Sequence, residues 1–265
     1  MSPDARTPLV RILRATGRFL IDWSPVFAVL FLYDAIHNQL GRFLPPAHVL
    51  PQIRMDEALA GGTVLTVRLQ RAFYSPGHPR WWDYMALAVY TSHFFAPALI
   101  ALWLWVRSRP RYLRYMAGFV GMTTVGYLTY IAFPAVPPWL ASERGALPPT
   151  HRLVRELWDH LGRHGIAATF SGTSVYANDV AAIPSLHAAY PVLIAAFFWK
   201  DSRPLARAGL ALYALAMAVV LVYSAEHYVL DIALGWLYAF ATAFVIRRRE
   251  PGRRRNVLGS AVPAR

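Results

Sequence analysis

Six stretches of this chain are long and apolar enough to cross a bilayer as helices: residues 23–40, 84–106, 115–133, 183–199, 205–223 and 228–246. A hydrocarbon core about 30 Å thick takes about 20 residues of helix. Lipid offers no hydrogen bonds, so a spanning backbone must form helices or a closed barrel. The pattern therefore predicts an all-α fold: a polytopic membrane protein with six transmembrane helices, forming one domain over residues 1–265. Composition points the same way, with 56% hydrophobic and 15% charged residues against roughly 25% charge in average globular domains. A disordered chain, a coiled coil and an ordinary soluble enzyme are excluded. The fourth stretch is the shortest and contains Pro191, and the first contains Asp34.

A net charge of +13 taken alone fits a nucleic-acid binder. The basic residues, however, fall between the apolar runs. Arg6, Arg11, Arg14 and Arg18 precede the first stretch, and Arg107, Arg109, Arg111 and Arg114 separate the second from the third. Lys200, Arg203 and Arg207 separate the fourth from the fifth, and a basic tail over 247–265 follows the sixth. These groups hold 18 of the 27 Lys and Arg residues. With six spans they all lie on one side, which the positive-inside rule makes cytoplasmic. The expected localisation is a plasma or inner membrane, with both termini cytoplasmic. The tail reads as an anchor near anionic lipid, with no nucleic-acid partner. The N-terminal run lacks a small-residue cleavage site and reads as an uncleaved signal-anchor. Cysteine is absent, so disulfides, thiol nucleophiles and thiolate metal sites are excluded.

Two segments fall on the opposite, outer side. Residues 41–82 contain Pro45, Pro46 and Pro51, then an amphipathic run over 63–73 that predicts a short interfacial helix. Residues 134–182 form an outer loop, and loops that long are often functional. A short helix is expected in it over 151–161.

Polar residues at the span ends carry the chemistry. His227 and Asp231 are four apart, so a helix would put them on one face. An Asp accepting from one ring nitrogen fixes the tautomer and frees the other nitrogen as nucleophile or base. Helix capping is the plainer alternative for such a pair. Pro184 and Ser185 suit a helix start, with Ser185 as N-cap, which puts His187 in the first turn. The fourth and sixth spans run in the same direction, so His187 and His227 share one membrane level. Two helix N-termini there suit a phosphate. In that reading His227 attacks phosphorus, Asp231 orients it, and His187 protonates the leaving oxygen. A third segment, Phe133-Pro-Ala-Val-Pro-Pro-Trp139, ends the third span at the same level, and Trp139 suits the interface belt.

Together, Phe133-Pro-Ala-Val-Pro-Pro-Trp139, Pro184-Ser-Leu-His187 and His227-Tyr-Val-Leu-Asp231 resemble the type-2 phosphatidic acid phosphatase superfamily. Within it they look most like the inositol phosphorylceramide synthase, or inositolphosphotransferase, branch. The resemblance covers roughly residues 115–246, the expected catalytic core. It implies a six-helix bundle with a His187, His227 and Asp231 triad, a phosphohistidine on His227, and Ser185 beside the phosphate. Neither metal nor cofactor is expected, and the implied partner is a lipid substrate in the bilayer. Pro184 and Tyr228 within the motifs, and Arg163 in the outer loop, are further candidate substrate contacts. The phosphatases' cationic clamp is missing: Leu102 and Leu221 stand where its Lys and one Arg would be, and Arg109-Pro110 is its only lookalike. Arg80, Arg144, Arg152, Arg155, Arg163 and His164 remain as candidate cations.

The expected function is transfer of a phospho-head-group, or of a phosphoryl group, between lipids at the outer face. Hydrolysis of a lipid phosphate or pyrophosphate is the near alternative. A transporter or assembly factor without catalysis is the distant one. His93 inside the second span reads as a neutral histidine bonded between helices. Asp34, Asp83, Tyr176, Asn178 and Asp179 read as outer-face polar groups.

Overall fold

The computed structural model describes residues 8–40, 46–169 and 180–248. Eleven α-helices occur among them: α1 (Pro8–Leu40), α2 (Leu50–Leu59), α3 (Leu65–Phe73), α4 (Trp81–Arg107), α5 (Arg109–Ala132), α6 (Pro138–Glu143), α7 (Leu153–His160), α8 (His164–Thr169), α9 (Leu186–Phe198), α10 (Pro204–Tyr223) and α11 (Val229–Arg248). The described residues contain no strand longer than an isolated bridge. Tyr176, Asn178 and Asp179 lie outside the described residues, as does the basic tail beyond Arg248.

Among the described residues four helices are long and apolar enough to cross a membrane: residues 13–32 of α1, then α4, α10 and α11. The first begins ten residues earlier than the sequence pattern suggests, because α1 runs unbroken from Pro8 through Pro25. Arg14 and Arg18 therefore sit inside it, exposed, rather than ahead of it. The other two expected spans are present as helices but do not meet the same test. The 24 residues of α5 start with Arg109, Arg111 and Arg114. The 13 residues of α9 reach only about 20 Å at 1.5 Å per residue.

Helix α9 is the bundle's axis. Leu186, Ala188, Ala189 and every residue from Pro191 to Ala196 are buried, as expected of a helix that is apolar all round. Helices α4, α5, α10 and α11 surround it and turn apolar side chains outward. Phe94, Phe95 and Leu99 of α4, Leu212 and Leu215 of α10, and Phe240 and Phe244 of α11 are all exposed. So large an apolar belt suits lipid contact. At one end the buried Asp22 carboxylate ties α1 to the bundle. Arg109 holds it through both oxygens at 2.6 and 3.2 Å, and Trp105 Nε1 donates to it at 3.0 Å.

At the other end, short helices lock the starts of the long ones. Helix α3 forms as expected, whereas α2 falls in a stretch that the apolar pattern leaves as loop. Its Asp56 is completely buried. One Asp56 oxygen accepts the Leu65 N–H at 2.9 Å, and the other accepts the Val229 N–H at 2.8 Å. A single carboxylate thus caps the first residues of both α3 and α11. Gln70 of α3 donates to the carbonyls of His151 and Tyr223, each at 2.8 Å, and accepts from the His151 N–H at 2.7 Å. Tyr223 donates in turn to Asp83. Replacing Asp56 by Ala takes this partner from the half-buried Leu65 and Val229 N–H groups, at up to about 1–3 kcal/mol each. We expect a clear drop in the thermal unfolding temperature in detergent for Asp56→Ala. A smaller drop is expected for Asp56→Asn, which retains one acceptor. Unfolding at the wild-type temperature in Asp56→Ala would mean that this double cap is energetically idle.

Candidate active site

The three sequence motifs meet through their backbones. Proline stops α5 at Ala132, and the chain runs extended to Pro137. There Ala135 bridges His48 on one side and Ala181 on the other. The Ala135 carbonyl accepts the Ala182 N–H at 3.2 Å, and the Ala182 carbonyl accepts from His227 Nδ1 at 3.0 Å. Trp139 donates its N–H to the Ala225 carbonyl at 3.1 Å. Ala225 holds a left-handed φ of 63°, a conformation costing an L-residue roughly 1–2 kcal/mol. That strained turn delivers Glu226 and His227 to the site.

Ser185 is the N-cap of α9. Its hydroxyl accepts the Ala188 N–H at 3.2 Å, as the sequence suggests. His187 therefore sits in the first turn. His227 lies just ahead of α11 rather than on it, because the helix starts at Val229. Its Nδ1 is 3.4 Å from Asp231 Oδ2, and the same oxygen accepts the Tyr228 N–H at 2.8 Å. Asp231 thus does both of the things its spacing allows: it caps the helix start and faces the imidazole. Its other oxygen is buried and has no hydrogen-bond partner among the described residues.

His187 Nδ1 and His227 Nε2 are 3.0 Å apart. The tautomers follow from the partners. The Ala182 carbonyl can only accept, so His227 carries its proton on Nδ1 and keeps a lone pair on Nε2. His187 Nδ1 is then the donor of the pair. Asp231 also ties the two segments together, since its carbonyl accepts the Ser185 N–H at 2.9 Å.

Both histidines line a cavity of about 520 Å³ that runs between α1, α4, α5 and α9. Its far walls are apolar, with Val26, Leu30, Pro97, Ala101, Met116 and Phe119, and its near wall is polar, with His187, His227, Arg152 and Glu226. Arg152 bonds both Glu226 oxygens, at 2.9 and 3.2 Å, and its guanidinium lies 4.1 Å over the Trp139 ring. Trp139 is thus a buried wall of the cavity rather than an exposed belt residue, because the Pro137–Pro138 turn carries it inward. His93 also lines the cavity, edge-on to His187 with ring centres 4.2 Å apart. Its Nδ1 bonds the Tyr90 carbonyl within its own helix, not a second helix. Beyond the cavity, Tyr74 donates to Glu156 at 2.6 Å. Burial first, and then that carboxylate, push the Tyr74 hydroxyl well above its ordinary range.

The remaining candidates sit elsewhere. Pro184 is buried, and its carbonyl accepts the Tyr130 hydroxyl at 2.7 Å. Tyr228 points its ring into the cluster of Ile53, Val64, Val67 and Val136. Arg163 is exposed, and neither it nor Tyr228 lines the cavity. Arg152 does. The α11 start, expected to hold an anion, already has its Tyr228 and Val229 N–H groups bonded to Asp231 and Asp56. Among the described residues no three His, Asp or Glu side chains gather as a metal-binding group.

Fold and site together define a helical membrane protein with paired histidines and a carboxylate at the head of an apolar cavity. The sequence matches the PAP2 superfamily over residues 63–245, and the chain belongs to that family. The match takes in α3 and α4 as well as residues 115–245 of the motif-bearing region, so the family region starts earlier than the motifs alone suggest. A phosphoinositol dihydroceramide synthase of Bacteroides thetaiotaomicron is 33% identical over 149 residues, 52% of this chain and 47% of that protein. The inositol phosphorylceramide synthase catalytic subunit of Schizosaccharomyces pombe is 30% identical over 244 residues, 88% of this chain and 53% of that protein. The chain thus spans about half the length of these curated relatives. No solved structure matches it.

Proposed function

We propose that this protein is a lipid phosphotransferase working through a phosphohistidine on His227. The observation that carries the proposal is the 3.0 Å approach of His187 Nδ1 to His227 Nε2 at the polar head of an apolar cavity. The lone pair on His227 Nε2 attacks phosphorus, and the bond from phosphorus to the leaving oxygen breaks. His187, which must be protonated on both nitrogens at that moment, gives its Nδ1 proton to that oxygen and is left neutral. For this the His187 ring must turn aside, since the two nitrogens now occupy each other. Asp231 and the Ala182 carbonyl hold the His227 Nδ1 proton as positive charge develops on the ring. In the second half, an acceptor hydroxyl loses its proton to His187 as its oxygen displaces His227 from phosphorus. Arg152 is the cation we assign to the phosphate, with Glu226 and Trp139 holding its planar group in place.

The apolar walls of the cavity suit lipid tails. The names of the two relatives favour a phosphoinositol head group and a ceramide-type hydroxyl as acceptor. Six spans, with α5 and α9 completing the four apolar helices, would put the histidines at the outer face and both termini in the cytoplasm, in accord with the basic clusters. In this reading residues 115–246 form the catalytic core of one membrane domain, with the short helices of 41–82 and 134–182 at the interface.

The test incubates the purified protein with phosphatidylinositol, with or without dihydroceramide, and follows the products by mass spectrometry. A phosphoinositol product formed only when the acceptor is present is expected. Inorganic phosphate released from a lipid phosphate without acceptor would make the protein a hydrolase. A chain inert toward every phosphorylated lipid would overturn the proposal.

A further inference from the structure

At the end of the bundle remote from the histidines lies a second lipid-sized space. A groove of about 720 Å³ runs between α5 and α11, walled by residues such as Ala117, Gly121, Val125, Leu237 and Val245. A smaller cleft of about 110 Å³ adjoins it, and the two share Arg114 and Ile246. The cleft brings together Arg111, Arg114, Lys200 and Arg247, with Asp201 as the one acid among the described residues that line it. Asp201 is bonded to Arg111 at 2.7 Å, and Arg247 donates to the Ala196 carbonyl at 2.7 Å. These contacts hold Arg111 and Arg247 in place, and four cations against one acid leave the described cleft strongly positive.

We propose that this groove and cleft bind an anionic glycerophospholipid of the leaflet opposite the histidines. Its phosphate would sit in the cleft and one acyl chain in the groove. The dimensions fit. From Arg114 to Val125 is eleven residues, about 16 Å of helix, which is half of a hydrocarbon core of about 30 Å. The groove thus runs from a basic head-group level to the membrane midplane and stops there, as one leaflet's acyl chain does. Basic pockets between helices select anionic head groups. Gly121 gives the groove its depth: an added Cβ there would meet no atom of the described residues within 4 Å. A second copy of the chain is disfavoured as occupant, because a two-fold axis along the membrane normal would bring two basic clusters together at the same end. The lipid would bridge α5, which leads into the Phe133–Trp139 motif, and α11, which carries Asp231. The inference needs α5 and α11 to lie in a membrane but not the phosphotransfer chemistry, so loss of one leaves the other standing.

The experiment is native mass spectrometry of the protein in mild detergent with phosphatidylglycerol, phosphatidylcholine or glycerol 3-phosphate. Selective retention of phosphatidylglycerol is expected. Arg114→Gln should reduce that preference about fivefold, the usual weight of one basic residue at an anionic surface. Gly121→Leu should fill the groove and abolish retention while leaving the thermal unfolding temperature unchanged. Equal retention of the two lipids, retention that survives Gly121→Leu, equal binding of glycerol 3-phosphate, or a dimer in place of bound lipid would each overturn the proposal. If Gly121→Leu does not fold, Arg114→Gln alone decides: an unchanged preference overturns it.

Discussion

Protein carrying His227→Gln is expected to form no acid-labile phosphoenzyme and to lose between about 10⁴- and 10⁶-fold in turnover, the range seen when one member of a nucleophile, base and carboxylate unit is removed. Glutamine keeps the size and some of the polarity of the ring but has no basic nitrogen. His187→Gln should behave differently. Losing a general acid costs about 10²–10⁴-fold, and only when the leaving oxygen needs a proton. With a nitrophenyl phosphodiester, whose leaving group departs as an anion, His187→Gln should regain much of its first-step rate, and His227→Gln should not. Rapid-quench labelling with a phosphorus-labelled substrate separates the two. Turnover retained in His227→Gln would end the covalent mechanism. Equal rescue of both variants would remove the division of labour between the rings.

Much of this arrangement can be read in the sequence, and the boundary has physical causes. The spacing of His227 and Asp231, the Ser185 cap and the Pro-rich stop after α5 are local features, so short-range rules suffice to find them. Span positions were legible where a helix faces lipid on one side and must be apolar over its whole length, as in α4, α10 and α11. The start of α1 was not, because Arg14 and Arg18 on an exposed helix face interrupt the apolar run without breaking the helix. Contacts made over long distances in the chain left no comparable trace. Asp56 looks like an ordinary acidic residue in a polar segment until α11 arrives 173 positions later to share it. Arg152 was one of several loop arginines. Only folding sets it against Glu226, 74 residues away, and over Trp139. The Tyr228 ring follows the same logic in reverse, since a motif neighbour proves to be packing and only its backbone N–H meets Asp231.

Gly235 belongs to the illegible group and carries the second large effect. It sits on α11 opposite the α9 cap. A Cβ built there would lie 2.2 Å from the Ser185 carbonyl oxygen and 3.1 Å from its carbon. The obstacle is backbone, so no side chain can rotate away. The helices would have to separate, at about 1–3 kcal/mol for overpacking of this kind. The same separation would strain the bond from the Ser185 N–H to the Asp231 carbonyl and draw His187 away from His227. A displacement near 1 Å at reacting groups costs about 10²-fold in rate. Gly235→Ala is therefore expected to fold, with a lowered thermal unfolding temperature and turnover down about 10²-fold. Gly126→Ala is the matched control: the atoms nearest its Cβ all belong to the Leu186 side chain, the first at 2.7 Å, and that leucine can change rotamer. Its rate loss should be much smaller, even though both glycines let helices approach closely, as small residues do in membrane bundles. If Gly235→Ala turned over at the wild-type rate, the close crossing of α9 and α11 would not be what holds the two histidines in register.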